Sequence, residues 1–112
     1  MKLYRCPLTC SEAAELALAE GGVAYEPVEA TNFTPESTLV ADGSLLAHIH
    51  PKGYVPILEL DDGQRLTEVP AILSYVAEIS KSSNLFKPTD ALSRVRQIEW
   101  LAFTSSELHK GV

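Results

Sequence analysis

Apolar and polar positions change their period several times along the chain, and each change predicts an element. Lys2–Arg5 alternates, with Leu3 as the inward position, and predicts a short strand. Cys6-Pro7-Leu8-Thr9-Cys10 then turns the chain. A stretch rich in Ala, Leu and Glu predicts a helix over Ser11–Glu20, closed by Gly21-Gly22. Residues 23–29 predict a second strand, with Tyr25 and Val28 as its apolar positions and Pro27 marking a sheet edge. Strand, helix and strand at these lengths form a βαβ unit with parallel strands.

Residues 30–50 carry no clean period. Thr34-Pro35-Glu36 can start a helix, but Asp42-Gly43 breaks it, so the expectation is an irregular or partly helical connection. A hairpin follows: Ile57, Leu58 and Leu60 are apolar, Asp62-Gly63 is a turn dipeptide, and Leu66-Thr67 resumes the extended pattern. A third helix begins at once, with Pro70 in its first turn and Ile72, Leu73, Val76, Ala77 and Ile79 at helical spacing. The elements up to residue 80 thus predict a βαβ–ββα domain built on a mixed four-stranded sheet. Residues 81–89 read as a linker. A long helix over residues 90–110, capped by Thr89 or Asp90, carries Val95, Ile98, Leu101, Ala102, Ser105 and Leu108 on one broad face.

Composition narrows the possibilities. The 112 residues suffice for one compact core, and 46% hydrophobic residues exclude a disordered chain. A net charge of −6 with no basic cluster argues against nucleic acid and anionic membranes as partners. No apolar run is long enough to span a bilayer, and the first residues lack a signal-peptide core. Two cysteines make no disulfide framework, which points to a reducing cytoplasm. His48 and His50 lack a third ligand, so no metal site is expected.

The candidate chemistry lies where elements meet. Cys10 precedes the first helix, whose free N–H groups and dipole favour a thiolate; alternatively it is a small buried hydrophobe. Glu68 sits ahead of the third helix, as a carboxylate beside backbone donors or as a helix cap. Val55-Pro56 puts exposed main chain before a strand. With these residues the chain resembles the bacterial beta-class glutathione transferases. That family's signature Asn-Pro-Lys-Gly-x-Val-Pro, Leu-Asp-Asp-Gly and Leu-Thr-Glu is matched by His50-Pro51-Lys52-Gly53-Tyr54-Val55-Pro56, Leu60-Asp61-Asp62-Gly63 and Leu66-Thr67-Glu68. Met1-Lys2-Leu3-Tyr4, Cys10-Ser11, Ile98-Glu99-Trp100-Leu101 and Ser106-Glu107-Leu108-His109-Lys110-Gly111 extend the likeness over nearly the whole chain.

The resemblance implies an α/β, thioredoxin-like domain followed by the first helix of an all-helical domain, and hence an N-terminal fragment or a truncated product. It implies glutathione as co-substrate, with Cys10 and His109 as catalytic residues at its thiol. It also implies Val55, Pro56, Glu68, Val69 and Ser106 as glutathione-binding residues, with a cis bond before Pro56. Three positions depart from the family: Val69 stands for Gly or Ser, Thr38-Leu39 lacks a basic residue, and Ala102 replaces an asparagine. The expected function is thiol activation for attack on a small electrophile. The alternatives are a glutathione-binding scaffold without turnover, or thiol redox chemistry through Cys10 with or without Cys6. The apolar residues of the last helix, with Trp100 and Phe103, further predict a symmetric homodimer, or an exchange of the last helix between chains, with Trp100 buried at or near the contact.

Overall fold

The computed structural model describes residues 1–31, 36–82, 85 and 87–109, with His109 described by its backbone alone. Strands β1 (Lys2–Arg5), β2 (Glu26–Glu29), β3 (Ile57–Glu59) and β4 (Arg65–Thr67) form one sheet in the order β2-β1-β3-β4. β1 pairs parallel with β2 and antiparallel with β3, and β3 pairs antiparallel with β4. The sheet is therefore mixed, as expected, and Pro27 does lie on an edge strand. β2 is shorter than its sequence pattern, starting at Glu26. Helices α1 (Ser11–Glu20) and α2 (Val69–Ile79) complete the βαβ–ββα order.

Side chains of a strand alternate between faces, so neighbours in sequence enter different halves of the core. Leu3 and Leu58 face α1 and α2 and pack with Ala14, Leu18, Ile72 and Val76. Tyr4 and Ile57 face the other way and pack with Cys6, Ala30, Leu39, Leu46 and Val55. Residues 36–50 cover this second face as an irregular connection, held by single bridges Ala30–Leu39 and Thr38–Leu45 and a 3-10 turn at Leu46–His48. The possible helix start at Thr34-Pro35 lies outside the described residues. The far ends of α1 and α2 are joined: the Ser80 hydroxyl donates to the Gly21 carbonyl at 3.2 Å. A Cβ on Gly21 would sit 3.0 Å from Ser80 Oγ and 3.1 Å from the Ala17 carbonyl oxygen, so a larger residue here would push these neighbours outward.

The last helix departs from its sequence pattern. α3 runs Ala91–Phe103 and then widens into a π-helical stretch, Thr104–His109, where one regular helix to residue 110 was expected. A π-helix bonds i to i+5, so each later side chain rotates away from the α-helical stripe. α3 buries none of its residues fully, and it touches α2. Of the predicted face only Leu101 and Ser105 are half-buried; Val95, Ile98, Ala102 and Leu108 are exposed. Trp100 is 65% exposed and meets Phe103 edge to face, with ring centroids 5.8 Å apart.

Asp90 caps α3. Its carboxylate accepts from the Ser93 N–H at 2.9 Å and from the Ser93 hydroxyl at 2.8 Å. These two bonds, the backbone one first, hold the Asp90 carboxyl below its ordinary value of 3.8. A depressed folded value adds stability above the ordinary value, and that stability is lost as pH falls through the lower folded value. Asp90→Ala should therefore lower the melting temperature at neutral pH, and the gap from the native chain should close below pH 3.8. Thermal melts followed by circular dichroism across that range check it.

Candidate functional site

The register of the sheet brings three loops to one end. Tyr4 pairs with Ile57, and Ile57 pairs with Thr67, so these residues lie side by side. The chain beyond Tyr4 leads to Cys10, the chain before Ile57 holds Val55-Pro56, and the chain after Thr67 begins with Glu68. A cleft of about 760 Å³ opens there, within the size range of small-molecule sites. Cys10, Val55, Pro56, Glu68 and Val69 all line it, together with Leu8, Lys52, Tyr54, Leu101 and Ser105.

Cys10 is the N-cap residue of α1 and is half-buried. Its Sγ lies 4.0 Å from the Val55 carbonyl oxygen. The loop that carries it is pinned from inside. The Cys6 N–H donates to the fully buried Ser11 Oγ at 3.0 Å. The hydroxyls of Thr9 and Ser11 lie 2.8 and 3.0 Å from the Cys6 carbonyl oxygen, and 2.8 Å from each other. The Leu8 N–H donates to Glu12 Oε1 at 2.9 Å, which holds Leu8 at φ 61 with its side chain 93% exposed at the cleft mouth. No disulfide joins Cys6 and Cys10, and Cys6 is buried.

The Val55-Pro56 bond is cis, as expected, and both residues are buried and line the cleft. Glu68 is the N-cap residue of α2 at φ 71 and ψ 121, a region sparsely used by residues other than glycine. The capping alternative fails for its side chain, which makes no cap hydrogen bond. Its carboxylate instead accepts from Lys52 Nζ at 3.1 Å, and the same Nζ lies 3.1 Å from Thr67 Oγ1. The first-turn N–H groups of Val69 and Ala71 have no intrahelical acceptor, and Pro70 has no N–H.

Two expected residues stand differently. Ser106 donates to the Ala102 carbonyl at 2.8 Å and is exposed; its neighbour Ser105 lines the cleft. The backbone of His109 ends the π-helical stretch, and its side chain lies outside the described residues. The Tyr4 hydroxyl donates to Glu59 Oε1 at 3.4 Å, and burial first, then Glu59, pushes its phenol up. Sequence reading missed Lys52, Leu8 and Ser105. Only Lys52 had a usable signal, as a cation next to the Gly53 turn and the cis bond. Among the described residues no group of three or more His, Cys, Asp or Glu can hold a metal, and no helix is long and apolar enough to cross a membrane.

With a thiol ahead of the first helix and the cis bond ahead of β3, the βαβ–ββα order makes this a thioredoxin-like domain. Comparison with known proteins narrows the class. The family described as "Glutathione S-transferase, N-terminal domain" matches residues 9–79, and the chain belongs to it. It is similar to glutathione S-transferase GstA of Escherichia coli O157:H7, with 38% identity over 111 residues, 99% of this chain and 54% of that one. A sphingomonad glutathione S-transferase solved in complex with glutathione matches at TM-score 0.85 and 39% identity, over 98% of this chain and 53% of that chain. A beta-class transferase of Sphingomonas chungbukensis matches at TM-score 0.87 and 39% identity, over 98% and 53%. The chain thus spans about half the length of the relatives it matches.

Ser11 generates the prediction of this site. Ser11→Ala leaves a buried backbone donor unpaired and should cost about 1–3 kcal/mol of stability. The loosened loop should also make Cys10 react faster with a neutral thiol reagent. Urea denaturation and timed alkylation measure both effects.

Proposed function

We propose that this cleft binds glutathione and that the chain, alone or as part of a longer transferase, activates the glutathione thiol for conjugation. The observation that carries this reading is the meeting of Cys10, the Val55 main chain and Glu68 in one cleft. Glutathione is a peptide, and Val55 offers it a strand-like edge for its cysteinyl part. Its γ-glutamyl ammonium suits the Glu68 carboxylate, and its α-carboxylate suits the Val69 N–H at the positive end of α2. So seated, its thiol faces Cys10 and the start of α1. Loss of the proton to solvent leaves a thiolate. The sulfur pair then forms a C–S bond with the electrophilic carbon, and the leaving group departs with its own pair. We assign His109 to thiolate support, and the reaction needs no metal. A cytoplasmic setting, where glutathione is reduced, fits the same reading.

A second reading, binding without turnover, draws on the cleft's outer side. Among the described residues only Leu101, Thr104 and Ser105 wall it there, which leaves little surface for an electrophile.

Titration calorimetry at millimolar glutathione should give a binding isotherm, and Glu68→Ala should weaken it roughly tenfold or more, as expected for a hydrogen bond to a charged group. Absence of heat with the native chain refutes the proposal. Binding without turnover of a model aryl halide selects the second reading.

We further propose that two copies associate through α3 and cover Trp100, since Val95, Ile98, Trp100 and Phe103 all stand exposed on that helix. Sedimentation equilibrium should give a mass above the 12.2 kDa of one chain. A concentration-independent mass at that value overturns it.

A further inference from the structure

We infer that Lys52 and Glu68 act together as a charge-exchange reader for a zwitterionic α-amino acid head group, an inference that rests on the glutathione reading of the cleft and specifies how its γ-glutamyl end is selected. Among the described residues lining the cleft, Lys52 is the only cation and Glu68 the only carboxylate. They are paired to each other, with Nζ 3.1 Å from Oε2. Thr67 Oγ1 holds the same Nζ at 3.1 Å, so the ammonium sits at a defined point beside the start of α2.

A ligand ammonium that takes Glu68 must displace Lys52. Both side chains are well exposed, 46% and 62%, so water screens the pair and it exchanges readily. The displaced ammonium then needs an anion. In an α-amino acid head the carboxylate sits on the same carbon as the ammonium, so a head seated on Glu68 carries its carboxylate to Lys52. One ion pair becomes two of the same sign pattern, and no charge is left unpaired. A bare amine would free Lys52 without replacing its partner. A bare carboxylate would take Lys52 and strand Glu68. The arrangement therefore favours ligands bearing both charges on one carbon. One carboxylate oxygen goes to Lys52 and leaves the other for the Val69 N–H.

The test uses three ligands on the native chain, Lys52→Gln and Lys52→Arg: glutathione, its glycyl ethyl ester, and γ-aminobutyryl-cysteinyl-glycine, which lacks only the α-carboxylate. Lys52→Gln should weaken glutathione and the ester alike, by roughly tenfold. It should not weaken the decarboxylated ligand, which in the variant has no ion pair to break, and Lys52→Arg should restore most of the loss. A merely structural role for Lys52 would weaken all three ligands equally, and that result overturns the inference. So does a loss confined to ligands with a free glycyl carboxylate, which would put Lys52 at the other end of the peptide. Native binding that Lys52→Gln does not alter sinks the inference and leaves the glutathione reading standing. Failure of the native chain to bind any of the three ends both.

Discussion

The antiparallel pairing of β1 with β3 is the constraint on which the rest depends. Leu3 lies opposite Leu58 and Tyr4 opposite Ile57, and each pair enters a different half of the core. Because the side-chain period of a strand is two, a slip of one residue would exchange the two halves. It would also separate the loop of Cys10 from Val55, whose spacing follows from the same register. Core and cleft are thus specified by one set of contacts, and neither can be rearranged alone.

Much of this was legible in the order of residues. Asp62-Gly63 between apolar runs announces the hairpin, Pro27 announces the edge strand, and the Ala- and Leu-rich run ending in Gly21-Gly22 announces α1. In each case local chemistry and tertiary position agree. The cis bond at Pro56 was accessible only through the family motif, since proline alone does not choose between isomers. Cys10, Val55, Pro56, Glu68 and Val69 were foreseen at the ends of elements, and the shared cleft follows once the sheet is assembled.

What escaped is what local pattern cannot encode. The widening after Phe103 leaves no mark in hydrophobic period, and Ser106, named from the family likeness, bonds back to its own helix while Ser105 lines the cleft. The apolar residues of α3 were taken as one face, although only Leu101 among the large ones turns inward. Glu68 reads as a helix cap by position, yet its carboxylate goes to a lysine sixteen residues earlier. Long-range electrostatic choices of this kind depend on the folded geometry, and the sequence neighbours of Glu68 do not predict them.

Leu8 and Glu68 are the two residues other than glycine with positive φ among those described, and both border the cleft. Glycine would fit either backbone with less strain. A population selected for heat resistance alone would therefore drift toward glycine at both positions. One change would strip an apolar side chain from the mouth, and the other would remove the carboxylate that pairs with Lys52. Backbone strain and the lining of the cleft pull these two codons in opposite directions.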